Sequence, residues 1–561
     1  MRRRSLWRFG VFLWPLFALP VWGLQTESIL LRTGDPIVGV GRLETIARVA
    51  VIDDGAWYCQ AGTDHPSNAR DAVVLRHGFP AFREGDFLAA PPGARVRSFH
   101  GWDVDAAGNL LWELTLSGPG IVDGERRALY WNGRLLARRN QPAELDDWAP
   151  GTVWNAFGPR LFGPGNTILV AGSLWETGTT GPREALVAAT IDSQGNPGAW
   201  TTRVAAGWTL ASVGLEIRSI SQRETSLAFN ARGEFLWSGK RQGPNHSDGL
   251  LMLGLDHILA QEGNPAPVEG RSFASFEQSQ VALNDFGEHA FSCNLNVDPL
   301  SPELIESNYL LVKDGRKFAQ EGDLLSAMDA PLDNPQGTPL FLTNSRDLFW
   351  GARVRETPTR QDQAYMRNYE VIVREGRTFV DGQLVVALDR TSAAFRVSKA
   401  GRFFLGQVEL EEDGPALLRV DYGAAVPVEG CDETKGTLEV VGGYAIAGSS
   451  LRIAMGEAQA IGSQAVFVLS RDSALDGSNC GITLPLGELL LRPPFAGAHF
   501  GPIWVLGPVT FRIPLPFEPG LIDSVWYAQG FFYASNQRSD GTANIPEWKP
   551  TNGLRIEVGA P

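Results

Sequence analysis

Apolar residues come in short runs along most of the chain, each broken by Gly, Asp, Asn or Pro. Sustained apolar spacing at three and four residues, the mark of an amphipathic helix, does not occur, so the pattern predicts strands joined by tight turns. Several runs are apolar at consecutive positions, as in Leu111–Trp112, Ala290–Phe291 and Phe404–Leu405. Successive strand residues point to opposite faces, so these strands carry apolar groups on both sides and must be covered on both.

One stretch, "NDFGEHAF", returns along the sequence. Asn284 and Gly287 are its key positions, repeated as Asn230 and Gly233 in "NARGEFLW", Asp105 and Gly108 in "DAAGNLLW", and Ser398 and Gly401 in "SKAGRFFL". Fainter copies are "IDDGAWYC" with Gly55 and "FGPGNTIL" with Gly165. In "NSRDLFW", Asn344 is kept, Asp347 stands in the glycine place and one residue is missing. Asn, Asp or Ser at the first position can accept from the backbone two residues on, and Gly three residues later permits a left-handed conformation.

A second element follows each copy: "REGD" at Gly85–Asp86, "QEGD" at Gly322–Asp323, "QEGN" at Gly263–Asn264, and Asn140 in the glycine place of "LLARRNQ". "VIVREGRTFVDGQ" and "LRVDYGAAVPVEG" complete the later copies. The "KDGR" turn inside "LLVKDGRKFAQEGD" predicts an outer hairpin. Seven copies spaced by about 50–65 residues fit a closed seven-bladed β-propeller, whose blades cover one another on both faces. A stray "LLRTGDP" at Leu30–Pro36 supplies the strand that joins the first and last blades. An eight-bladed ring and an open string of β-units are the alternatives; an open array needs polar end caps, and none is visible.

"LNDFGEHAF" resembles the element of the NxxGxxAF tandem-repeat family of secreted bacterial proteins, and the "FAQEGD" hairpin resembles its companion. The resemblance implies export and a β-propeller-like fold, and it carries no assigned catalytic residues. From Cys431 the repeat stops. "GTLEVVGGYAIAGSSLRIAMGEA", "GPVTFRIPLP" and "DSVWYAQGFFYAS" read as strands of a C-terminal β-sandwich over 431–561, leaving 24–430 to the propeller.

The start "MRRRSLWRFGVFLWPLFALPVWG" has the basic head, apolar stretch and small terminal residue of a signal peptide over 1–23. The apolar stretch is short for a membrane span, and Pro15 and Pro20 interrupt it. The formal charge is −14, and losing Arg2, Arg3, Arg4 and Arg8 with the leader makes the mature chain more acidic. Nucleic acid and anionic membranes need clustered cations, so neither is an expected partner. Export permits disulfides: Cys431 and Cys480 are the expected pair, whereas Cys59 and Cys293 are expected as buried thiols.

Chemistry is sparse. The 7 histidines form no HxxxH pair, the 4 cysteines have no zinc spacing, and no GxSxG motif is present. His289 reads as a packed or rim residue. Asp103 and Asp105 in "DVDAAGN" are a weak calcium candidate, set against a plain turn that already explains Gly108. Tryptophans such as Trp112, Trp237 and Trp350 sit at strand positions, where packing is the first expectation. The expected function is therefore an exported, monomeric, non-catalytic binding or scaffold protein, secreted or in the cell envelope, with a glycan or protein partner. The alternative is a secreted glycan-directed hydrolase with an acidic site at the propeller channel.

Overall fold

The computed structural model describes residues 26–559 apart from 277, 297–307, 335–337, 356–361, 390, 429–435, 444, 448, 457–462, 476–480, 485–486, 504–507, 517 and 536–545. The expected leader, Cys431 and Cys480 lie outside the described residues. The chain is all-β; among the described residues, helical structure is confined to three-residue 3₁₀ turns.

Among the described residues, seven antiparallel sheets of four to six strands follow one another from residue 26 to residue 421. The second is representative: Arg95–Val104, Leu110–Ser117, Arg127–Trp131 and Arg134–Arg138 pair in chain order. Consecutive apolar residues do what the pattern predicts. Leu111 packs with Trp154 and Val187 of the third sheet, while Trp112 packs with Tyr58 and Val74 of the first. Ala290 and Phe291 divide likewise between the sixth and fourth sheets. Leu405 and Leu417 of the seventh sheet share a core with Val49 and Leu75 of the first, so the succession closes on itself.

The closing strand is the one the stray "LLRTGDP" predicts. Thr26–Arg32 pairs antiparallel with Gly414–Asp421, from Thr26 opposite Asp421 to Arg32 opposite Ala416. N- and C-terminal parts of the repeat region thus build the seventh sheet together.

The recurring turn has a fixed geometry. Asn284 Oδ1 accepts from the backbone N–H of Phe286 and Glu288, both at 3.0 Å, and Gly287 has φ 84°. Asn230 and Asp105 accept in the same way, Ser398 accepts from Phe403 N–H at 3.2 Å, and Gly233, Gly108 and Gly401 repeat the positive φ. Two faint copies are displaced from their expected alignment. Thr343, not Asn344, occupies the Asn284 position, and Arg346 (φ 66°) takes the glycine place, so no residue is missing there. In the third copy Gly163 holds the Asn284 position and Asn166 (φ 58°) the glycine place. A Cβ on Gly163 would lie 2.1 Å from the Phe229 ring, which accounts for the lost asparagine.

The second element is the corner between sheets. The N–H groups of Gly34, Gly85, Asn140, Gly207, Gly263, Gly322 and Gly376 each donate to a backbone carbonyl nine to fourteen residues on, at the opening of the next sheet. Asp35, Asp86 and Asp323 brace three of these corners by accepting from the N–H three residues earlier, at 2.7, 2.8 and 2.9 Å. The expected hairpin turn is also present, with Asp314 and Gly315 at φ 48° and 71°.

Beyond the repeat, Ala424–Val428 pairs with Gly553–Glu557, so this strand belongs with the C-terminal region and not with the last copy. It heads a five-stranded sheet containing Pro546–Glu557, Val525–Ser535, Gln464–Ser470 and Phe495–Ile503. A three-stranded sheet of Thr437–Gly443, Ser450–Gly456 and Val509–Pro514 shares its core, with Ile453, Met455 and Phe511 against Phe467, Ala528 and Phe532. Cys59 and Cys293 are buried free thiols, and burial pushes both thiol pKa values up, Cys59 to about 12.

The turn geometry generates a stability series. Gly287→Val forces a branched residue into left-handed backbone and should cost more than about 2 kcal/mol. Asn284→Ala, which strips the two turn bonds and those of Nδ2 to Glu288 and Thr343, should cost at least about 2 kcal/mol, and Arg316→Ala on the exposed outer hairpin less than about 0.5 kcal/mol. Denaturant titration reads all three; equal losses would refute the turn assignment.

Three corners carry a carboxyl pair. Glu84, Glu262 and Glu375 precede corner glycines and lie against Asp71, Asp248 and Asp362, which open the paired strand. Glu84 Oε2, Asp362 Oδ1 and Glu375 Oε2 are buried and, among the described residues, receive no conventional donor, a place that a proton shared in the Glu84–Asp71 and Glu375–Asp362 pairs would fill. Burial, then the neighbouring Asp, raises Glu84 and Glu375 to about 7; Asp362 also faces Arg353 at 3.0 Å. A raised carboxyl pKa means stability present below the unfolded value of 4.5 and lost as pH rises through about 7. Thermal unfolding should therefore show a higher Tm at about pH 5 than at about pH 8, with the double variant Glu84→Gln/Glu375→Gln flattening the difference. A wild-type profile that does not fall over this range would contradict the shared protons.

Candidate ligand cavity

Inner strands and turns of all seven sheets converge on one cavity of about 520 Å³. Its wall is mainly apolar: Val51 and Ile52 come from the first sheet, Phe162 from the third, Phe229 from the fourth, Leu283 from the fifth and Phe341 from the sixth. The strands reach it because their outer positions are committed to the cores between sheets, leaving the inner edges toward the common axis.

The recurring turns form one end. Ala231 N–H donates to Asp285 Oδ1 at 2.7 Å, Asp285 N–H to Asn344 Oδ1 at 2.9 Å, Asn344 N–H to Lys399 O at 2.7 Å, and Ala400 N–H to Asp53 Oδ1 at 2.7 Å. These bonds tie the fourth sheet through to the first. Asn230 Nδ2 and Asn284 Nδ2 add bonds to Asn284 O and Thr343 O at 2.9 and 3.1 Å. The turn asparagine therefore serves two purposes: it shapes its own bend and fastens the next one.

Charged groups brace the other end. Glu224, on the turn preceding the inner strand of the fourth sheet, accepts twice from Arg48 of the first sheet, at 2.7 and 2.5 Å, and from Ser392 Oγ of the seventh at 3.3 Å. Burial alone would raise the Glu224 pKa, but Arg48, with Arg160 and Arg396 behind it, holds it below the usual value. Buried Arg160 donates to Gly101 O and Gly158 O at 2.5 and 2.6 Å and pairs with Glu113 at 3.1 Å; Arg127 reaches Glu113 at 3.0 Å. This network is the main feature that sequence reasoning missed. Arg48 and Glu224 stand outside the repeated letters and far apart in the chain, so no spacing links them.

Arg396 and Asp103 line the cavity between these ends. Burial raises the Asp103 pKa, and its Oδ2 accepts from Phe162 N–H at 3.4 Å. Asp105 is occupied by its own turn, accepting from Ala107 N–H, Asn109 N–H and the Asn109 side chain at 2.9, 2.7 and 2.7 Å. The two weak calcium candidates thus sit in one wall but serve separate backbone bonds, and among the described residues no group of three or more His, Cys, Asp or Glu is placed to hold a metal ion. His289 is half-buried, 3.9 Å from Asp314, with its pKa lowered by burial. Trp112, Trp154, Trp237 and Trp350 are fully buried between sheets, away from any sugar-stacking surface. No helix among the described residues is long and apolar enough to cross a membrane.

The C-terminal region meets the sheets at the same turns. Arg402, in the seventh turn, pairs with Asp421, with Asp523 and with Glu557, at 3.4 Å to the first and 3.5 Å to the last. Arg346, in the sixth, reaches Glu439 at 2.7 Å.

Removing one partner of the brace leaves the other charged and enclosed. Glu224→Gln should lower unfolding free energy by about 3 kcal/mol, and adding Arg48→Met should recover much of that loss. Denaturant unfolding of the single and double variants tests this; a neutral Glu224→Gln would show that the pair braces nothing.

No family model and no curated protein matches the chain. Among solved structures, a prolyl endopeptidase chain aligns at 9% identity and TM-score 0.27, over 74% of this chain and 54% of its own. The chain thus spans about half the length of that relative. A glycoside hydrolase of the GH43_12 group, from a capybara gut metagenome, aligns at 7% identity and TM-score 0.23, over 96% of this chain and 95% of its own.

Proposed function

We propose that this is an exported, non-catalytic binding protein in which a seven-bladed propeller, followed by a C-terminal β-sandwich, holds a small ligand in its axial cavity. The observation that carries this reading is the cavity itself, apolar-walled, contributed by all seven sheets and braced by charge at one end. A concave, mainly apolar space with a few polar groups is what small-molecule binding requires. Export is supported by the leader-like start, and membership of the NxxGxxAF repeat proteins by the turn residues.

A hydrolase with an acidic channel site has one observation in its favour, the raised pKa values of Asp53 and Asp103. Both carboxylates already accept a backbone N–H from another sheet, Ala400 for Asp53 and Phe162 for Asp103. Bonds of that kind hold sheets together, so binding is the stronger reading.

A neutral fluorescent amphiphile such as Nile red should bind the purified protein at about one per chain with a blue-shifted emission. Leu283→Arg, which fills the wall with charge, should abolish the signal. Emission unchanged from buffer with the folded wild type would end this proposal.

A further inference from the structure

Arg396 stands apart from the other enclosed cations. Arg48 is bound to Glu224, and Arg160 to Glu113 and two carbonyls. Arg396 lies on the inner strand of the seventh sheet, Phe395–Val397, and lines the cavity. Its guanidinium carbon is 5.0 Å from the centre of the Phe341 ring, and the fields acting on it are those of Arg48, Asp103 and Glu224. Among the described residues, no ion pair or hydrogen bond engages its side chain. A guanidinium has five N–H donors, and those of Arg396 remain accessible to whatever enters the cavity.

The surrounding charges determine what suits these donors. Glu224 is taken up by Arg48 and Ser392. Asp103 is held by Phe162 N–H and acts on Arg396 only through space. The guanidinium carbon sits over the Phe341 ring, and a planar guanidinium can accept a carboxylate at its edge through two parallel bonds. The same cavity is walled by the apolar side chains of Phe162, Phe229 and Leu283.

We infer that the cavity takes a small carboxylate with an apolar body, its carboxylate on Arg396 and its hydrocarbon part against the Phe162–Phe229–Leu283 wall. This assignment rests on the binding reading above and adds the ligand's chemical class. The positive charge of Arg396 selects a carboxylate over an alcohol or an ammonium head of equal length. Burying the tail contributes the affinity common to all three.

Calorimetric titration of the full chain with decanoate, decanol and decyltrimethylammonium tests the inference. Decanoate should bind at least about tenfold more tightly than decanol, with the ammonium weakest. Arg396→Met should reduce decanoate affinity by about tenfold and leave decanol within about threefold, circular dichroism confirming that the variant is folded. If decanol binds as well as decanoate to the wild type, or Arg396→Met does not change decanoate binding, the carboxylate assignment is overturned while the cavity reading stands. If neither these probes nor Nile red binds, the cavity reading itself falls.

Discussion

Everything in the repeat region follows from one packing constraint: its strands are apolar on both faces. Leu111 and Trp112 are neighbours in sequence yet belong to different cores, one on each side of their sheet. No single sheet of this kind can stand in water, and no finite stack avoids two apolar ends. A closed succession removes the ends. The pairing of Thr26–Arg32 with Gly414–Asp421 makes that closure a matter of backbone hydrogen bonds as well as contact.

Closure brings seven inner edges together, and the sequence treats the two ends of the resulting space differently. At the turns, neutral and acidic side chains of adjacent copies exchange hydrogen bonds with the neighbouring backbone, so the ring is sewn through its repeat. At the other end the bracing is unrepeated, an ion pair between the first and fourth sheets. Repetition suits neighbour-to-neighbour contacts, which are alike all the way round. Contacts across an axis join unlike positions and require individual residues.

That distinction also separates what was legible in the sequence from what was not. The strands, the outer hairpin and most corner glycines repeat and were readable from letters and spacing, and the closing strand was betrayed by one stray copy of the corner letters. The bend at Asn284 was readable, but its bond to Thr343 O was not, because the acceptor is backbone on another copy. Two copies were misaligned where Arg346 and Asn166 adopt left-handed backbone without being glycine. Arg346 bears this with its carbonyl bound by Lys313 and its side chain by Glu439. The pairing of Glu84 with Asp71 was hidden in plain view: the corner acid is visible, but only strand register brings its partner alongside. Glu224, Arg48 and Arg396 left no periodic trace.

The strand Thr26–Arg32 also has a temporal consequence. It is made before the other strands of the seven sheets, and its partner, Gly414–Asp421, comes nearly four hundred residues later. Until then the first sheet exposes an apolar face and Thr26–Arg32 lacks its partner strand, surfaces that favour aggregation. Contacts so distant in sequence form slowly because a long loop must be closed before they contribute. Local sheets can assemble as they emerge, but the ring is completed only by joining its oldest strand to its youngest. The period of greatest vulnerability therefore lies between the appearance of the first sheet and the arrival of residue 421.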